Sequence, residues 1–73
     1  MRKNLKIFRV YKDLSQEKFA KKIGYSAAEY SCIETGKNNP RPAFWRRIKS
    51  VFRLSDETIY MLQSDDKKTE GRT

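Results

Sequence analysis

Apolar side chains recur at the spacing of an α-helix in several short stretches of this sequence, the first of them near its beginning. In residues 4–12 they repeat every three to four positions, which predicts a helix with one buried side. The stripe consists of Leu5, Phe8 and Tyr11, widened by Ile7 and Val10. Asp13 interrupts the pattern, and aspartate favours turns, so we expect the helix to end there.

Residues 15–23 predict a second, shorter helix. Ser15 is a favourable N-cap, because its hydroxyl can accept a hydrogen bond from a backbone N–H of the first turn. The residues that share the apolar face are Phe19, Ala20 and Ile23. Gly24 can end the helix, because glycine adopts a positive φ without strain.

A third helix, residues 26–35, is predicted directly afterwards. Ser26 and Glu29 have the spacing of a capping box, and Gly36 can end the helix in the left-handed conformation. Two short helices separated by a glycine-containing turn are typical of a helix-turn-helix, which is the motif that we expect here.

The remainder of the chain predicts a loop and two further helices. The loop is KNNPRP, and Pro42 at its end suits the first turn of a helix. The apolar stripe of that helix consists of Phe44, Trp45, Ile48, Val51 and Phe52. Ser55 can cap a last helix in which Ile59 and Leu62 face inward.

These elements predict an all-α domain of five short helices around one core, without any strand. A chain of 73 residues buries only about 60% of its unfolded surface, which is enough for a single small core. We expect that domain to span residues 1–63. Residues 64–73 contain no apolar side chain, and they predict a disordered tail.

The charge of the chain points to an anionic partner. It has 17 Lys and Arg residues against 9 Asp and Glu residues, a net charge of +8. The surplus is concentrated in residues 1–54, which hold 14 basic and 4 acidic residues. A compact basic domain attracts nucleic acid first and an acidic membrane surface second. The alternative is that surplus lysine only keeps a small protein soluble.

The composition argues against several classes of protein. One cysteine and no histidine exclude an internal disulfide and the usual zinc sites, and a single free thiol favours a reducing, cytoplasmic location. Neither a signal-peptide core nor an apolar run of membrane-spanning length is present. Without a nucleophile–base set, paired carboxylates or a phosphate-binding glycine loop, we expect no enzyme, no cofactor, no metal, no membrane partner and no small-molecule substrate.

One set of residues in register has a recognisable pattern, carried mainly by LSQEKFAKKIGYS and IETGKNNP. Its members are Leu5, Phe8, Arg9, Leu14, Ser15, Gln16, Ala20, Gly24, Ser26, Ile33, Glu34, Gly36, Lys37 and Pro40. Over roughly residues 4–62 the chain thereby resembles the Cro/C1-type (XRE-like) helix-turn-helix domain of phage repressors and small bacterial regulators. The resemblance implies a lambda-repressor-like fold and a transcriptional repressor that binds double-stranded DNA as a homodimer.

The same resemblance implies site residues. It places helix 15–23 across the DNA backbone and helix 26–35 in the major groove. The residues implied to face the bases are Gln16, Ala27, Ala28, Ser31 and Cys32. Those implied to contact phosphates are Lys22, Ser26, Lys37, Asn38 and Arg41. Arg9 and Glu34 resemble the internal ion pair of the family, which joins the first helix to the end of the third.

The base-facing positions of helix 26–35 depart from the family pattern, which usually has Arg, Lys, Gln, Asn or Thr among them. Alanine can contact a thymine methyl and serine can bond most bases, but bidentate contacts to guanine or adenine are absent from helix 26–35. Each missing contact forgoes about 1–3 kcal/mol of discrimination. Two hypotheses therefore stay open: a DNA-binding regulator of modest specificity, or a protein-interaction module of the antitoxin or anti-repressor type.

Five residues complete the interpretation. Arg53 stands where the family usually ends its fourth helix with glycine, and Lys49 replaces a small apolar residue. Tyr60 and Met61, beside the inward residues of the last helix, are candidates for a dimer surface. Cys32 fits a passive groove-facing residue better than a redox sensor, which would need nearby cations to stabilise its thiolate.

Overall fold

Five α-helices build the fold. The computed structural model describes the backbone of residues 1–72 and the side chains of residues 1–64. The helices are α1 (Lys3–Tyr11), α2 (Gln16–Ile23), α3 (Ala27–Thr35), α4 (Pro42–Phe52) and α5 (Asp56–Arg72). The described backbone contains no strand, and the prediction of an all-α fold is confirmed.

The helix-turn-helix formed by α2 and α3 begins and ends where its sequence predicts. Ser15 Oγ accepts a hydrogen bond from the Lys18 backbone N–H at 3.1 Å. Ser26 and Glu29 form both halves of the capping box, each at 3.0 Å. The two helices end at glycines in the left-handed region, Gly24 (φ 78°) and Gly36 (φ 94°). Local caps therefore set the length of both helices.

Two residues other than glycine also have a positive φ, and both follow a helix. Asp13 (φ 61°) ends the turn after α1, and Arg53 (φ 55°) ends α4. Arg53 thus adopts the left-handed conformation for which the family pattern usually has glycine. A residue with a Cβ pays roughly 1–2 kcal/mol there, so Arg53 is a small local strain in the fold.

The core consists of side chains from all five helices. Its fully or almost fully buried members are Leu5, Phe19, Ala20, Ile23, Tyr30, Ile33, Phe44, Trp45, Ile48 and Leu62. Phe19 lies at an aromatic centre, with ring centroids 4.9 Å from Tyr30 and 5.1 Å from Phe52. Ala20 is fully buried on α2, the helix that packs against α3, where a larger side chain would push the helices apart.

The apolar stripe of α1 is narrower than its sequence predicts. Ile7, Val10 and Tyr11 are exposed, Ile7 by 63% and Tyr11 by 80%. The expectation that these residues belong to the buried stripe is wrong. On a helix Ile7 lies about 200° around the axis from Leu5, and its partners at i+3 and i+4 are Val10 and Tyr11. The three residues therefore form a second stripe, which faces solvent.

The last helix is longer than its apolar pattern indicates. The backbone of α5 is helical to Arg72, although the last inward apolar residue of the pattern is Leu62. The disordered tail expected at residues 64–73 falls almost entirely on residues whose side chains lie outside the described set, so the boundary at residue 63 stays a prediction. None of the described helices is long and apolar enough to cross a membrane.

Candidate nucleic-acid interface

Helix α3 has one buried face and one exposed face of small side chains. Tyr30, Ile33 and Glu34 are buried against the rest of the domain. The exposed residues of α3 are Ala27, Ala28, Glu29 and Thr35, with Ser31 and Cys32 half-buried beside them. The Glu29 carboxylate accepts the Ser26 backbone N–H in the capping box. The Thr35 hydroxyl donates to the Ser31 carbonyl at 2.9 Å, so it is already bonded within its own helix. Apart from the capping carboxylate of Glu29, the surface that α3 offers to a partner consists of short, weakly polar side chains.

The orientation of α3 depends on a buried carboxylate. Glu34 is 1% exposed, and its two oxygens accept hydrogen bonds from three other side chains. Arg9 Nε lies 2.8 Å from Oε2, and Tyr30 donates its hydroxyl to the same oxygen at 2.7 Å. Gln16 Nε2 donates to Oε1 at 2.8 Å, and Arg9 Nη2 lies 3.4 Å from it. Glu34 thus ties α1 and α2 to the end of α3.

These contacts decide the charge of Glu34. Burial alone would raise the pKa of its carboxyl, but hydrogen bonds from Arg9, Tyr30 and Gln16 outweigh burial and hold the pKa below its usual range. The bond with Glu34 raises the pKa of Arg9, against the effect of burial. Burial, and then the bond to Glu34, raise the pKa of the Tyr30 hydroxyl. The group is therefore a charged pair with a neutral tyrosine.

Gln16 differs most from the arrangement that the resemblance implies. It is half-buried at the first position of α2, and its amide nitrogen points to Glu34 and not into solvent. The bond fixes the side chain along the edge of α3. A base contact by Gln16 stays a prediction, and it would have to use the rest of the amide or release this bond.

The five residues implied to contact phosphates are all exposed. They lie at the end of α2, at the start of α3, and in the segment between α3 and α4. They are Lys22, Ser26, Lys37, Asn38 and Arg41. The Ser26 hydroxyl already accepts the capping bond of α3, whereas Arg41 makes no side-chain cap for α4. Exposed basic residues therefore precede α3 in the chain, at Lys22, and follow it, at Lys37 and Arg41.

Sequence reasoning missed Arg2. This residue is 5% exposed, and its guanidinium donates hydrogen bonds to the carbonyl oxygens of Ile33 and Asn38 and to Oδ1 of Asn39. It had no detectable signal, because an arginine near the start of a basic chain is indistinguishable by pattern from a surface charge. The described residues include no group of three metal-ligating side chains.

A second exposed surface runs between α1 and α5. Ile7 and Tyr11 of the exposed stripe line a groove of about 240 Å³ whose other wall is α5, with Thr58, Met61 and Leu62. Tyr60 and Met61 are both exposed. We call the five exposed residues the α1–α5 patch: Ile7, Val10, Tyr11, Tyr60 and Met61.

Comparison with known proteins decides the family. The model of the helix-turn-helix domain matches residues 2–59 of the chain, which include the capped α2–α3 pair and the Glu34 contacts. This chain belongs to the helix-turn-helix domain family. The family consists of binding domains, and the chain is accordingly not an enzyme.

Two curated relatives cover nearly the whole helix-turn-helix chain. A protein of Methanocaldococcus jannaschii is 33% identical over 66 residues, which are 90% of this chain and all of the relative. A protein of Archaeoglobus fulgidus is 30% identical over 66 residues, 90% of this chain and 93% of the relative. Both bear the name of an uncharacterised HTH-type transcriptional regulator. No solved structure matches the chain.

The Glu34 contacts generate a prediction about stability. Arg9→Ala and Glu34→Ala should each lower the free energy of unfolding by about 3–5 kcal/mol, because each leaves a buried charge without its partner. The double variant should lose less than the sum, with a coupling energy of about 1–3 kcal/mol in urea melts. Additive losses would show that the two charges do not interact.

The exposed pair Lys49–Asp56 is a matched control for this cycle, because Asp56 is 89% exposed and Lys49 is 44% exposed. Its coupling energy should be below about 1 kcal/mol. The Arg9–Glu34 coupling should also depend on pH. Because the folded pKa of Glu34 is lowered, its contribution is complete above the unfolded value of about 4.3 and is lost as the pH falls through the folded pKa.

Proposed function

We propose that this helix-turn-helix domain is a transcriptional regulator that binds double-stranded DNA with α3 in the major groove. The observation that carries the proposal is the exposed α3 face, which Glu34 holds at its end and which exposed basic residues precede and follow in the chain. The major groove admits an α-helix, and α3 is a capped helix of nine residues whose buried side packs against the rest of the domain. The names of the two archaeal relatives agree with this role.

We further propose that the regulator is a repressor, as the resemblance to phage repressors implies, and that it acts in the cytoplasm, which a single free cysteine favours. A domain of this size that covers an operator blocks other proteins from the same base pairs. Repression needs nothing beyond that occupancy. The relatives come from archaea, whereas the resemblance pointed to bacteria, phages and mobile elements.

The specificity of the regulator should be modest. Alanine and serine on α3 can contact a thymine methyl or a single base edge, but they cannot make bidentate hydrogen bonds. Phosphate contacts then supply most of the affinity, and the shape of the duplex supplies part of the selection. The implied phosphate residues Lys22, Lys37 and Arg41 are basic and exposed.

A homodimer is the assembly that we propose, with the α1–α5 patch as its contact. The patch joins the sequence candidate Met61 to Ile7 and Tyr11 of α1 across one groove, and the other candidate, Tyr60, is exposed next to Met61 in the sequence. Contiguous exposed apolar surface on a small domain marks an interaction site. A two-fold pair places two α3 helices on successive turns of the duplex, which doubles the recognised sequence.

One observation favours a second function. The implied base-facing positions Ala27, Ala28 and Ser31 of α3 carry only short side chains, and such a surface also suits a protein partner. In that case the domain is an interaction module on a helix-turn-helix scaffold, of the antitoxin or anti-repressor type.

The first prediction for DNA binding concerns salt. If about six phosphates are neutralised, affinity for a mixed-sequence duplex should fall by roughly 10³ between 50 and 200 mM salt. Lys37→Gln and Arg41→Gln should each weaken binding to all sequences alike and lower the log–log salt slope by about 1. Fluorescence anisotropy over a salt series measures both quantities.

Arg53→Gly is the matched control. It also removes one exposed positive charge, and glycine accepts the φ of 55° at the end of α4 without strain. Because Arg41 and Arg53 cap the two ends of the 11-residue helix α4, they lie about 18 Å apart along its axis. Its salt slope should be that of the wild type. Salt-insensitive binding, or no binding at low salt, would favour the protein-partner function.

The second prediction concerns Ala28. Ala28→Trp should leave the melting temperature nearly unchanged, because the position is exposed, yet abolish specific binding by colliding with base edges. Ala28→Gln should change the preferred operator, because glutamine can bond N6 and N7 of adenine. Selection from a pool of random duplexes reads the preference, with Ala28→Ser as the conservative control. Unaltered binding by Ala28→Trp would place α3 outside the groove.

The third prediction concerns the dimer. Ile7→Asp and Met61→Asp should each convert the dimer to a monomer and weaken operator binding, because they bury a carboxylate in an apolar contact. Both residues are more than half exposed, so the melting temperature of the monomer should change little. Val51→Asp, on the exposed part of α4, is the control. Sedimentation equilibrium that finds a wild-type monomer at all concentrations would refute the dimer.

A further inference from the structure

We propose that Arg2 is a positioning residue for DNA binding, whose buried guanidinium holds the loop after α3 in the conformation that presents its polar side chains to phosphates. The loop, residues 36–40, contains the implied phosphate contacts Lys37 and Asn38, and Arg41 follows it directly. The inference rests on the proposed function and names a residue that this function requires.

The geometry of Arg2 spans the junction between α3 and the loop. The backbone N–H of Arg2 donates to the Glu34 carbonyl at 2.8 Å. Nη1 donates to the carbonyls of Ile33, at 2.5 Å, and of Asn38, at 3.2 Å, and Nη2 donates to Asn39 Oδ1 at 3.0 Å. One residue from the start of the chain therefore bonds the last turn of α3 and two successive residues of the loop.

Arg2 adds a cation to the end of α3, where backbone N–H groups of Gly36 and Asn38 already bond the Ile33 and Cys32 carbonyls. The last carbonyls of a helix lack partners within the helix and carry a partial negative charge. The last turn of α3 contains no basic residue of its own, so the positive charge of Arg2 comes from outside the helix. Met1 packs over the same junction, where a Cβ on Gly36 would lie 3.4 Å from its nitrogen. The first two residues thus cover the C-cap of α3.

The fork of the guanidinium matters as well as its charge. Nη1 and Nη2 point in fixed directions, so they can bond a helix carbonyl and a loop side chain simultaneously, whereas a lysine ammonium is a single point charge. Arg2 is also too deeply buried to serve as a phosphate contact itself. Its effect on DNA must therefore pass through the position of the loop.

The test compares Arg2→Gln, Arg2→Lys and the control Lys6→Gln, which removes an exposed charge one turn along α1. Affinity for a mixed-sequence duplex is measured over a salt series, at a temperature where circular dichroism finds every variant fully folded. Arg2→Gln should bind about tenfold more weakly at 50 mM salt, as expected for the loss of one charge-assisted bond. Its log–log salt slope should fall by about 1–2, because phosphate contacts of the loop are lost.

The other measurements separate position from charge and from stability. Arg2→Lys should recover only part of the affinity, and Lys6→Gln should stay within about threefold of the wild type. In the free protein, the amide of Asn38 should exchange faster in Arg2→Gln. A log–log salt slope in Arg2→Gln equal to that of the wild type would show that Arg2 only stabilises the fold. Full recovery in Arg2→Lys, or an equal loss in Lys6→Gln, would show that charge alone acts; either result overturns the proposal.

Failure of the proposed function is measured on the wild-type protein and not on the variants. If the wild-type chain binds no duplex at low salt, DNA binding is refuted, and the role of Arg2 in it falls as well. If the wild type binds and only the Arg2 variants behave as in the overturning results, the proposed function stands and the inference about Arg2 alone is wrong.

Discussion

The burial of one carboxylate constrains the whole arrangement of the first three helices. Glu34 is 1% exposed, and a buried charge is tolerated only when its lone pairs are occupied. Arg9, Gln16 and Tyr30 satisfy this requirement with bonds of 2.7–2.8 Å to its two oxygens. Each donor comes from a different part of the domain: α1, the start of α2, and the preceding turn of α3. Moving any of these helices relative to the others would break at least one bond to a buried charge.

The same constraint supports the interface role proposed for α3. The N-terminus of α3 is fixed by the Ser26–Glu29 capping box, and its C-terminus by Glu34 within and Arg2 from outside. A helix held at both ends presents its exposed side chains in defined positions. Rigid placement lowers the entropy that binding must overcome, so small side chains can still contribute to a fitted contact. The weak chemistry of the α3 face is thus combined with strong positioning.

Local features were predictable from the sequence, and long-range side-chain contacts were not. Caps such as Ser15 and Ser26 act on residues two or three positions away, so a short window contains the whole interaction. The ion pair of Arg9 with Glu34 required a family resemblance, since 25 residues separate the partners. The bond of Gln16 to the same carboxylate depends on how α2 meets α3, which no spacing encodes. The exposed stripe of α1 was missed because every apolar residue of a short helix was assigned to one face.

Arg2 and Arg9 change how the net charge of this chain should be interpreted. Both belong to the 17 basic residues that give +8, yet both have their guanidinium groups engaged inside the domain. Such charges stabilise helix ends and a buried carboxylate, and they add little to a surface potential. The residues able to release counterions from a duplex are the exposed ones. Composition therefore indicates that an anionic partner suits the domain, whereas the division into buried and exposed arginines and lysines determines how strongly it can bind.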